Sequence, residues 1–260
     1  DGIRDLVRSR GLGDVYKRQS VFFNTMKDYP VIVIASGPGI ENQLKELKIN
    51  QNKFFIIAAD SMLKTLTQSG IIPDFFLSID PQAYTIEHVF EMKAAAVPIF
   101  TVSSSPLIIK RYESLRGLIS LNTHPVAQIA EDMYPNVLGS TDSGTGTVAG
   151  DAVKTAIEFG FSTVGLAGFD FAFHDFKIYP RGSAYQKRFL NSSFRFNTIE
   201  TINFNYVMRS SKGLKYKNKF TRKSFIQYKD SLEKLIKNYN NNYIKKIMLK
   251  FLRLILEELL

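Results

Sequence analysis

Small residues and carboxylates follow several apolar runs of the chain. The run at residues 31–35 is apolar throughout and ends at a Ser-Gly-Pro-Gly turn, and later runs end at single aspartates. Glycines let backbone N–H groups approach an anion, and a helix after such a turn adds its positive end. A tight turn without a ligand would have the same residues. We expect a phosphate or nucleotide to contact this turn, which consists of Ser36, Gly37, Pro38 and Gly39.

Three aspartates at the ends of apolar runs could bind a ligand or support the fold. Asp60 and Asp80 could hold ribose hydroxyls, coordinate Mg²⁺ through oxygen, or cap helices. Asp170 could take part in catalysis or brace the adjoining loop. The acids do not cluster at the spacing of a metal site, and the chain has no cysteine. We therefore predict no metal site.

A second loop, rich in small and hydroxyl-bearing residues, stands directly before a predicted helix. Its hydroxyls and amides could hold a sugar hydroxyl, a carboxylate or a phosphate. Alternatively, Asp142 or Ser143 serves only to cap the helix. The residues that we expect to contact a nucleotide here are Asp142, Ser143, Gly144 and Thr145.

A histidine and an arginine come shortly after the last apolar run. His174 lies four residues after Asp170, and imidazole is the usual general base near neutral pH. Arg181 could pair with a phosphate or carboxylate through two hydrogen bonds, or it could be a surface residue. The catalytic candidates are therefore His174, Asp170 and Arg181, ahead of His88 and His124.

The elements that must position these residues alternate between strands and helices. Runs that are apolar on both faces are typical of central parallel strands. Repeated strand–helix units with right-handed crossovers place helices on both faces of a sheet. We predict an α/β fold with a mostly parallel, Rossmann-like sheet, with Ser61 as an N-cap and with helices ending at Gly70 and Gly160. Strands are predicted at 31–35, 54–58, 75–79, 97–102, 118–121 and 163–167, and helices at 40–47, 61–69, 148–159, 223–239 and 244–260.

Charge and composition divide the chain into three parts. Residues 1–19 are highly charged without a hydrophobic period, and we interpret them as translated adapter sequence outside the fold. Residues 20–210 form the predicted nucleotide-binding catalytic domain, and residues 211–260 form a basic helical extension. Residues 174–260 carry 19 Lys and Arg against 6 Asp and Glu. Such a segment could attract phosphate, nucleic acid or an acidic membrane, or it could be a solvated surface.

The length of the apolar runs bears on the location of the protein. None reaches the roughly 18 to 20 residues that a membrane span requires. The absence of cysteine permits a reducing compartment. We therefore expect a cytoplasmic protein without a membrane span.

Several motifs in the stretch 29–185 resemble, in order and spacing, a known family core. The most specific is Ser-Ile-Asp-Pro-Gln at 78–82, and the others are the sequence VIVIASGPGIENQL at 31–44, Ala59-Asp60, GIIPD at 70–74, the loop 142–150 and GFDF at 168–171. The core that these motifs resemble is that of the motility-associated factor (Maf) glycosyltransferases and of the 6-hydroxymethylpterin diphosphokinase MptE-like family. The resemblance covers most of the chain.

The resemblance implies a sialyltransferase-like fold and a reaction. The donor would be a CMP-activated nonulosonic acid, and the acceptor would be a Ser or Thr hydroxyl of flagellin or another surface protein. CMP would be displaced at the anomeric carbon. By the same matching, residues 37–39 would lie on the nucleotide with Asp60 and Asp80 nearby, and Ser143 and Gly144 would lie near the phosphate or sugar.

Two alternatives to glycosyl transfer stay open. The first is transfer of diphosphate from ATP to 6-hydroxymethyl-dihydropterin, for which Mg²⁺ would be the cofactor; for glycosyl transfer we assign no cofactor. The second is a non-catalytic module that binds a nucleotide or nucleic acid, although we do not expect nucleic acid to be the partner.

The chain also departs from the family pattern. Gly39 stands where many relatives have serine, and residues 179–182 replace a His-Ala-x-Gly motif, so the usual histidine is missing. His174 could replace it only if its loop folds back.

Overall fold

The computed structural model describes residues 24–89, 96–112, 118–133, 139–216 and 218–242. Six parallel strands form one sheet, in the order β5-β4-β3-β2-β1-β6. All six predicted strands are confirmed to within one residue at either end. Their bounds are β1 Pro30–Ile34, β2 Phe55–Ala59, β3 Phe75–Ser78, β4 Val97–Thr101, β5 Leu118–Ser120 and β6 Thr163–Ala167.

Helices and a small hairpin connect and follow these strands. Three short 3₁₀ turns cover Pro38–Asn42, Asp60–Met62 and Ala83–Thr85, and an antiparallel pair is formed by β7 Lys215–Tyr216 and β8 Lys219–Phe220. The helices in the described residues are α1 Leu44–Asn50, α2 Leu63–Gln68, α3 Ile86–Val89, α4 Pro106–Arg111, α5 Pro125–Met133, α6 Val148–Glu158, α7 Ala184–Asn191, α8 Ile199–Ser211 and α9 Lys223–Asn242.

Apolar side chains on both faces of the strands explain why the sheet is central. In β1, Val31 and Val33 face a core that contains α6, whereas Ile32 and Ile34 face a core with Leu47 of α1. The two faces alternate because successive strand residues point in opposite directions. The predicted α/β fold with helices on both faces of a parallel sheet is confirmed.

The observed helix ends match the predicted ones in part. Gly70 and Gly160 have φ of 72° and 81° directly after α2 and α6, as expected of terminating glycines. Ser61 was wrongly predicted as an N-cap, because it lies inside a 3₁₀ turn and donates its N–H to Asp60. Helix α6 is capped by Thr147 rather than by Asp142 or Ser143.

The chain after residue 173 contains more elements than the single helix at 223–239 that was predicted for its described part. It forms α7, α8, the β7–β8 hairpin and α9. Leu232 and Ile236 of α9 are buried in the same core as the strands, although they lie in the predicted extension. The segments 1–19 and 244–260 lie outside the described residues.

Helix α9 is the longest helix that the structure describes, and it is amphipathic. Across the described part of the chain, no helix combines the length and apolarity needed to cross a bilayer.

Burial of a carboxyl group in α6 makes stability depend on pH. Burial raises the pKa of Glu158 from 4.5 to about 7, and it outweighs the opposing charge of Lys154 at 3.5 Å. The stability due to protonated Glu158 is therefore complete below pH 4.5 and is lost as the pH rises through 7. The pKa of Asp151, which burial raises to about 6, adds to the same trend.

We expect the free energy of unfolding to fall between pH 5 and pH 8, and Glu158→Gln to reduce this fall by roughly 1 to 3 kcal/mol. Glutamine keeps the shape of the side chain but cannot ionise. Urea denaturation of both proteins at pH 5, 6, 7 and 8 measures the difference. An identical pH dependence in the variant would show that Glu158 is not responsible.

Candidate functional site

A cavity of about 250 Å³ opens where the strand order reverses. Strand β1 lies between β2 and β6, so the chain leaves β1 toward one side of the sheet and returns at β6 on the other. Ligands of open parallel sheets bind at such a point, beyond the carboxyl ends of the strands. The cavity is lined there by residues 35–38 after β1, 59–61 after β2 and 168–173 after β6.

Two glycines hold the loops after β1 and β6 together. The Gly37 N–H donates to the carbonyl of Gly168 at 2.9 Å, and the Gly39 N–H donates to the Asp170 carboxylate at 2.6 Å. A Cβ at Gly37 would lie 2.4 Å from the Gly168 carbonyl oxygen, which leaves no room for a side chain. Both amides are therefore engaged within the protein, and contact between these residues and a nucleotide stays a prediction.

A buried carboxylate and a buried imidazole form one wall of the cavity. Asp60 accepts hydrogen bonds from the Ser61 N–H and the Ser78 hydroxyl, each at 2.7 Å. Its Oδ1 lies 3.4 Å from Nδ1 of His88, and both side chains are about 95% buried. This contact is not aligned as a hydrogen bond, and Nδ1 has no hydrogen-bond partner among the described residues. The pair is an imidazole beside a carboxyl group that Ser61 and Ser78 hold in place.

Aromatic rings form another part of the cavity lining, which we call the aromatic wall. The rings of Tyr179 and Tyr185 stack with centroids 4.2 Å apart, and Tyr185 also lies 5.0 Å from the ring of His88. Burial raises the pKa of Tyr179 to about 12 and, with a hydrogen bond to Tyr84, raises that of Tyr185 further, so both hydroxyls stay protonated. The other rings and the cation of this wall are Phe169, Phe171, Phe173, Tyr206, Arg222, Phe225 and Tyr228.

The second small-residue loop lies beside the cavity and is braced internally. Ser143 donates its N–H and its hydroxyl to Asp151, at 2.8 and 2.6 Å, and Asp142 accepts the N–H of Gly144. None of Asp142, Ser143, Gly144 and Thr145 lines the cavity, whereas Thr147 at the start of α6 does. Nucleotide contact by these four residues stays a prediction.

The structure separates the three catalytic candidates. Asp170 lines the cavity and accepts a hydrogen bond from the loop after β1. This contact agrees with the alternative in which Asp170 braces a loop. His174 does not line it, and its Nδ1 lies 3.0 Å from Asp175. Arg181 is exposed, and its backbone N–H donates to Glu41. Five of the remaining site candidates line the cavity: Ser36, Gly37, Pro38, Asp60 and Asp80. Gly39 is not among the lining residues and lies against the Asp170 carboxylate.

The family described as 6-hydroxymethylpterin diphosphokinase MptE-like matches residues 11–176. The chain belongs to this MptE-like family. The match confirms the resemblance drawn from the motifs, and it includes the loop after β1, Asp60, His88 and Asp170. It ends before residues 179, 185 and 222, so the aromatic wall of the MptE-like cavity comes largely from outside the matched segment.

Individual relatives cover parts of this MptE-like chain. An uncharacterized protein of Treponema pallidum (strain Nichols) is 33% identical over 61 residues, which are 23% of this chain and 29% of that protein. A Maf glycosyltransferase structure from Magnetospirillum magneticum AMB-1 has 16% identity and a TM-score of 0.47, over 89% of this chain and 42% of that one. The chain thus spans less than half the length of both proteins.

The sialyltransferase CstII from Campylobacter jejuni, solved with cytidine-5'-monophosphate, is a more distant structural neighbour. It has 15% identity and a TM-score of 0.32, over 71% of this chain and 77% of that one. The parallel strand order of the MptE-like chain establishes its fold class independently of these two structures.

Sequence reasoning ranked His88 below His174 and did not single out Tyr185 or Arg222. His88 lies in a predicted connection, and only its packing against Tyr185 and Asp60 reveals its burial. The helix that carries Tyr185 had a local signal, because Ser183 and Gln186 form the capping pair that starts α7. Arg222 carries no local signal, because lysine and arginine are frequent throughout residues 212–223.

We expect Gly37→Ala to destabilise the MptE-like chain by roughly 1 to 3 kcal/mol or more. The added methyl group must displace the Gly168 carbonyl, which is backbone and cannot rotate away. Chemical denaturation measures this change. Ser36→Ala in the same loop is the control, since it removes a hydroxyl without adding atoms, and equal stability of both variants would contradict the close approach.

Proposed function

We propose that the chain is the donor-binding core of a glycosyltransferase that moves a nonulosonic sugar from a CMP-activated donor to a Ser or Thr hydroxyl of flagellin or another surface protein. The observation that carries this proposal is the buried Asp60–His88 pair in the cavity at the β1–β6 switch point. There an imidazole, a carboxylate and an aromatic wall line one recess. The donor class follows the resemblance of the motifs at 31–44 and 78–82.

The lining of the cavity suits a nucleotide-activated sugar. The cavity volume of about 250 Å³ is just below the roughly 300 to 1,000 Å³ of small-molecule sites, so the lining rather than the size supports the proposal. Aromatic faces such as those of Tyr179 and Tyr185 can pack against a base or the apolar face of a sugar ring. Asp80 at the cavity edge offers a carboxylate to a ribose hydroxyl.

In the proposed reaction, the acceptor hydroxyl oxygen attacks the anomeric carbon of the sugar. The bond from that carbon to the phosphate oxygen of CMP breaks, and its electron pair leaves with CMP. The hydroxyl proton passes to the imidazole of His88, and the nearby Asp60 carboxylate stabilises the imidazolium that forms. The acceptor would enter from the open side of the cavity.

Diphosphate transfer is the second candidate, because the family description names a 6-hydroxymethylpterin diphosphokinase. The described residues contain no group of three His, Cys, Asp or Glu that could hold a metal ion. Asp60 and Asp80 still fit Mg²⁺, which one or two carboxylates can hold together with nucleotide phosphates. When bound, the ion would neutralise phosphate charge. The same aromatic wall would then pack against the pterin.

The donor is tested by nucleotide binding to the 260-residue chain. We expect CMP to bind, and Asp80→Ala to weaken binding roughly tenfold by removing a charged hydrogen-bond acceptor. Asp142→Ala is a matched control, since Asp80 and Asp142 each accept the N–H two residues ahead but only Asp80 lines the cavity. Isothermal titration calorimetry gives the dissociation constants.

The other outcomes separate the alternatives. Binding of ATP that requires Mg²⁺, without binding of CMP, would favour diphosphate transfer. Weakening of CMP binding by Asp142→Ala and not by Asp80→Ala would move the nucleotide to the loop 142–145. Binding of nucleic acid alone, with a steep dependence on salt, would contradict both enzymatic proposals.

The base is tested by comparing two histidines. We expect His88→Gln to lower the rate of CMP release from a CMP-activated nonulosonic acid, with a Ser/Thr peptide as acceptor, by roughly 10²- to 10⁴-fold at unchanged CMP affinity. His174→Gln is the comparison, since this histidine lies outside the cavity lining. A loss of rate in His174→Gln with normal turnover in His88→Gln would transfer the role of base to His174.

A further inference from the structure

We propose that Arg222 binds the phosphate of the nucleotide and stabilises it as the leaving group. This inference rests on the proposed function for the identity of the nucleotide. Arg222 precedes α9, lies outside the family match at residues 11–176, and is the only lysine or arginine among the described residues that line the cavity.

The position of Arg222 is set by hydrogen bonds between two distant segments. The Phe173 N–H donates to the Phe220 carbonyl at 2.8 Å, and the Thr221 hydroxyl donates to the Phe171 carbonyl at 2.7 Å. Thr221 is fully buried, and Phe171 has a φ of 47°, which is rare for a residue other than glycine. These bonds fix the start of α9 against the loop after β6.

The guanidinium of Arg222 forms no ion pair with an Asp or Glu of the residues that the structure describes. Its Nε is buried and has no hydrogen-bond partner within the residues that the structure describes. Its Cζ lies 4.1 Å from the ring centroid of Phe225, and stacking of this kind leaves the edge N–H groups free to donate. A partly buried cation without a partner is costly, and an anionic ligand in the cavity would remove that cost.

The carboxylates of the cavity already have other donors. Asp60 accepts from Ser61 and Ser78, and Asp170 accepts from Gly39. Asp80 accepts from the backbone of Gln82. None of these three carboxylates forms an ion pair with Arg222 among the described residues.

A phosphate in this cavity needs a donor that the glycine turn does not provide. The N–H groups of Gly37 and Gly39 are both used within the protein. Arg222 has the fork of donors that matches two phosphate oxygens, and its charge would offset the charge that CMP gains as the sugar bond breaks. The ligand class is therefore a nucleoside phosphate, with the phosphate toward α9.

The test compares CMP with cytidine, which differ only by the phosphate, in calorimetric titrations of the full chain. We expect Arg222→Gln to weaken CMP binding roughly 10- to 100-fold and to leave cytidine binding within about twofold. Arg222→Lys should recover part of the CMP affinity, since it keeps the charge but not the fork. Lys223→Gln is the matched control, because the neighbouring Lys223 is exposed and should have no effect on either ligand.

Unchanged CMP affinity in Arg222→Gln, or equal losses for CMP and cytidine, would overturn the inference, since equal losses indicate a structural role. If Arg222→Gln does not fold, the comparison of CMP with cytidine is made on Arg222→Lys. If the wild type binds neither CMP nor cytidine, the proposed function fails. The role of Arg222 is then tested separately, by adding inorganic phosphate to the wild type. A shift of the Arg222 Nε–H resonance on adding phosphate to the wild type supports it, and no shift overturns it.

Discussion

The close contact between the loops after β1 and β6 is the constraint on which the cavity depends. Strands β1 and β6, whose paired residues are 133 positions apart in the chain, pair along their whole length, and Gly37 and Gly39 extend that contact beyond the sheet. Any side chain at Gly37 would push the loops apart. Residues of both loops line the recess of about 250 Å³. The glycines therefore allow the close approach of the two loops, whether or not a ligand is bound.

The C-terminal third of the described chain completes the site rather than merely following it. Helix α9 buries Leu232 and Ile236 against the strands, and its first turns carry Phe225 and Tyr228 to the cavity. Burial of apolar side chains supplies the free energy that holds the helix in place. The basic charge of this region thus has two components, one exposed to solvent and one, Arg222, directed at the site.

Buried polar groups distinguish this cavity from an ordinary gap in the core. Asp60 has its hydrogen bonds satisfied, which keeps a buried carboxylate tolerable, whereas Nδ1 of His88 and Nε of Arg222 lack partners among the described residues. Polar atoms of this kind reduce stability unless a ligand or water meets them. Both atoms belong to residues that line the cavity at the strand-order switch point.

The sequence by itself determined the parallel sheet, the family and the positions of the strand-end aspartates. Runs such as 31–35 and 163–167 are apolar on both faces, and this local pattern is compatible with few structures other than buried strands. Glycines that end helices, such as Gly70 and Gly160, are also local signals, because a left-handed residue is needed there whatever surrounds it.

Only the tertiary structure decided which polar residues meet. His88, Tyr185 and Arg222 come together across 134 residues of chain, and no spacing rule connects them. Residue type and position in the sequence favoured His174 and Arg181 as catalytic residues, yet neither lines the recess. The turn with Gly37 and Gly39 has the sequence of an anion site, but both N–H groups donate to acceptors in a distant loop. Side-chain chemistry is encoded locally, whereas burial and partners depend on contacts between distant segments, which a single sequence does not specify.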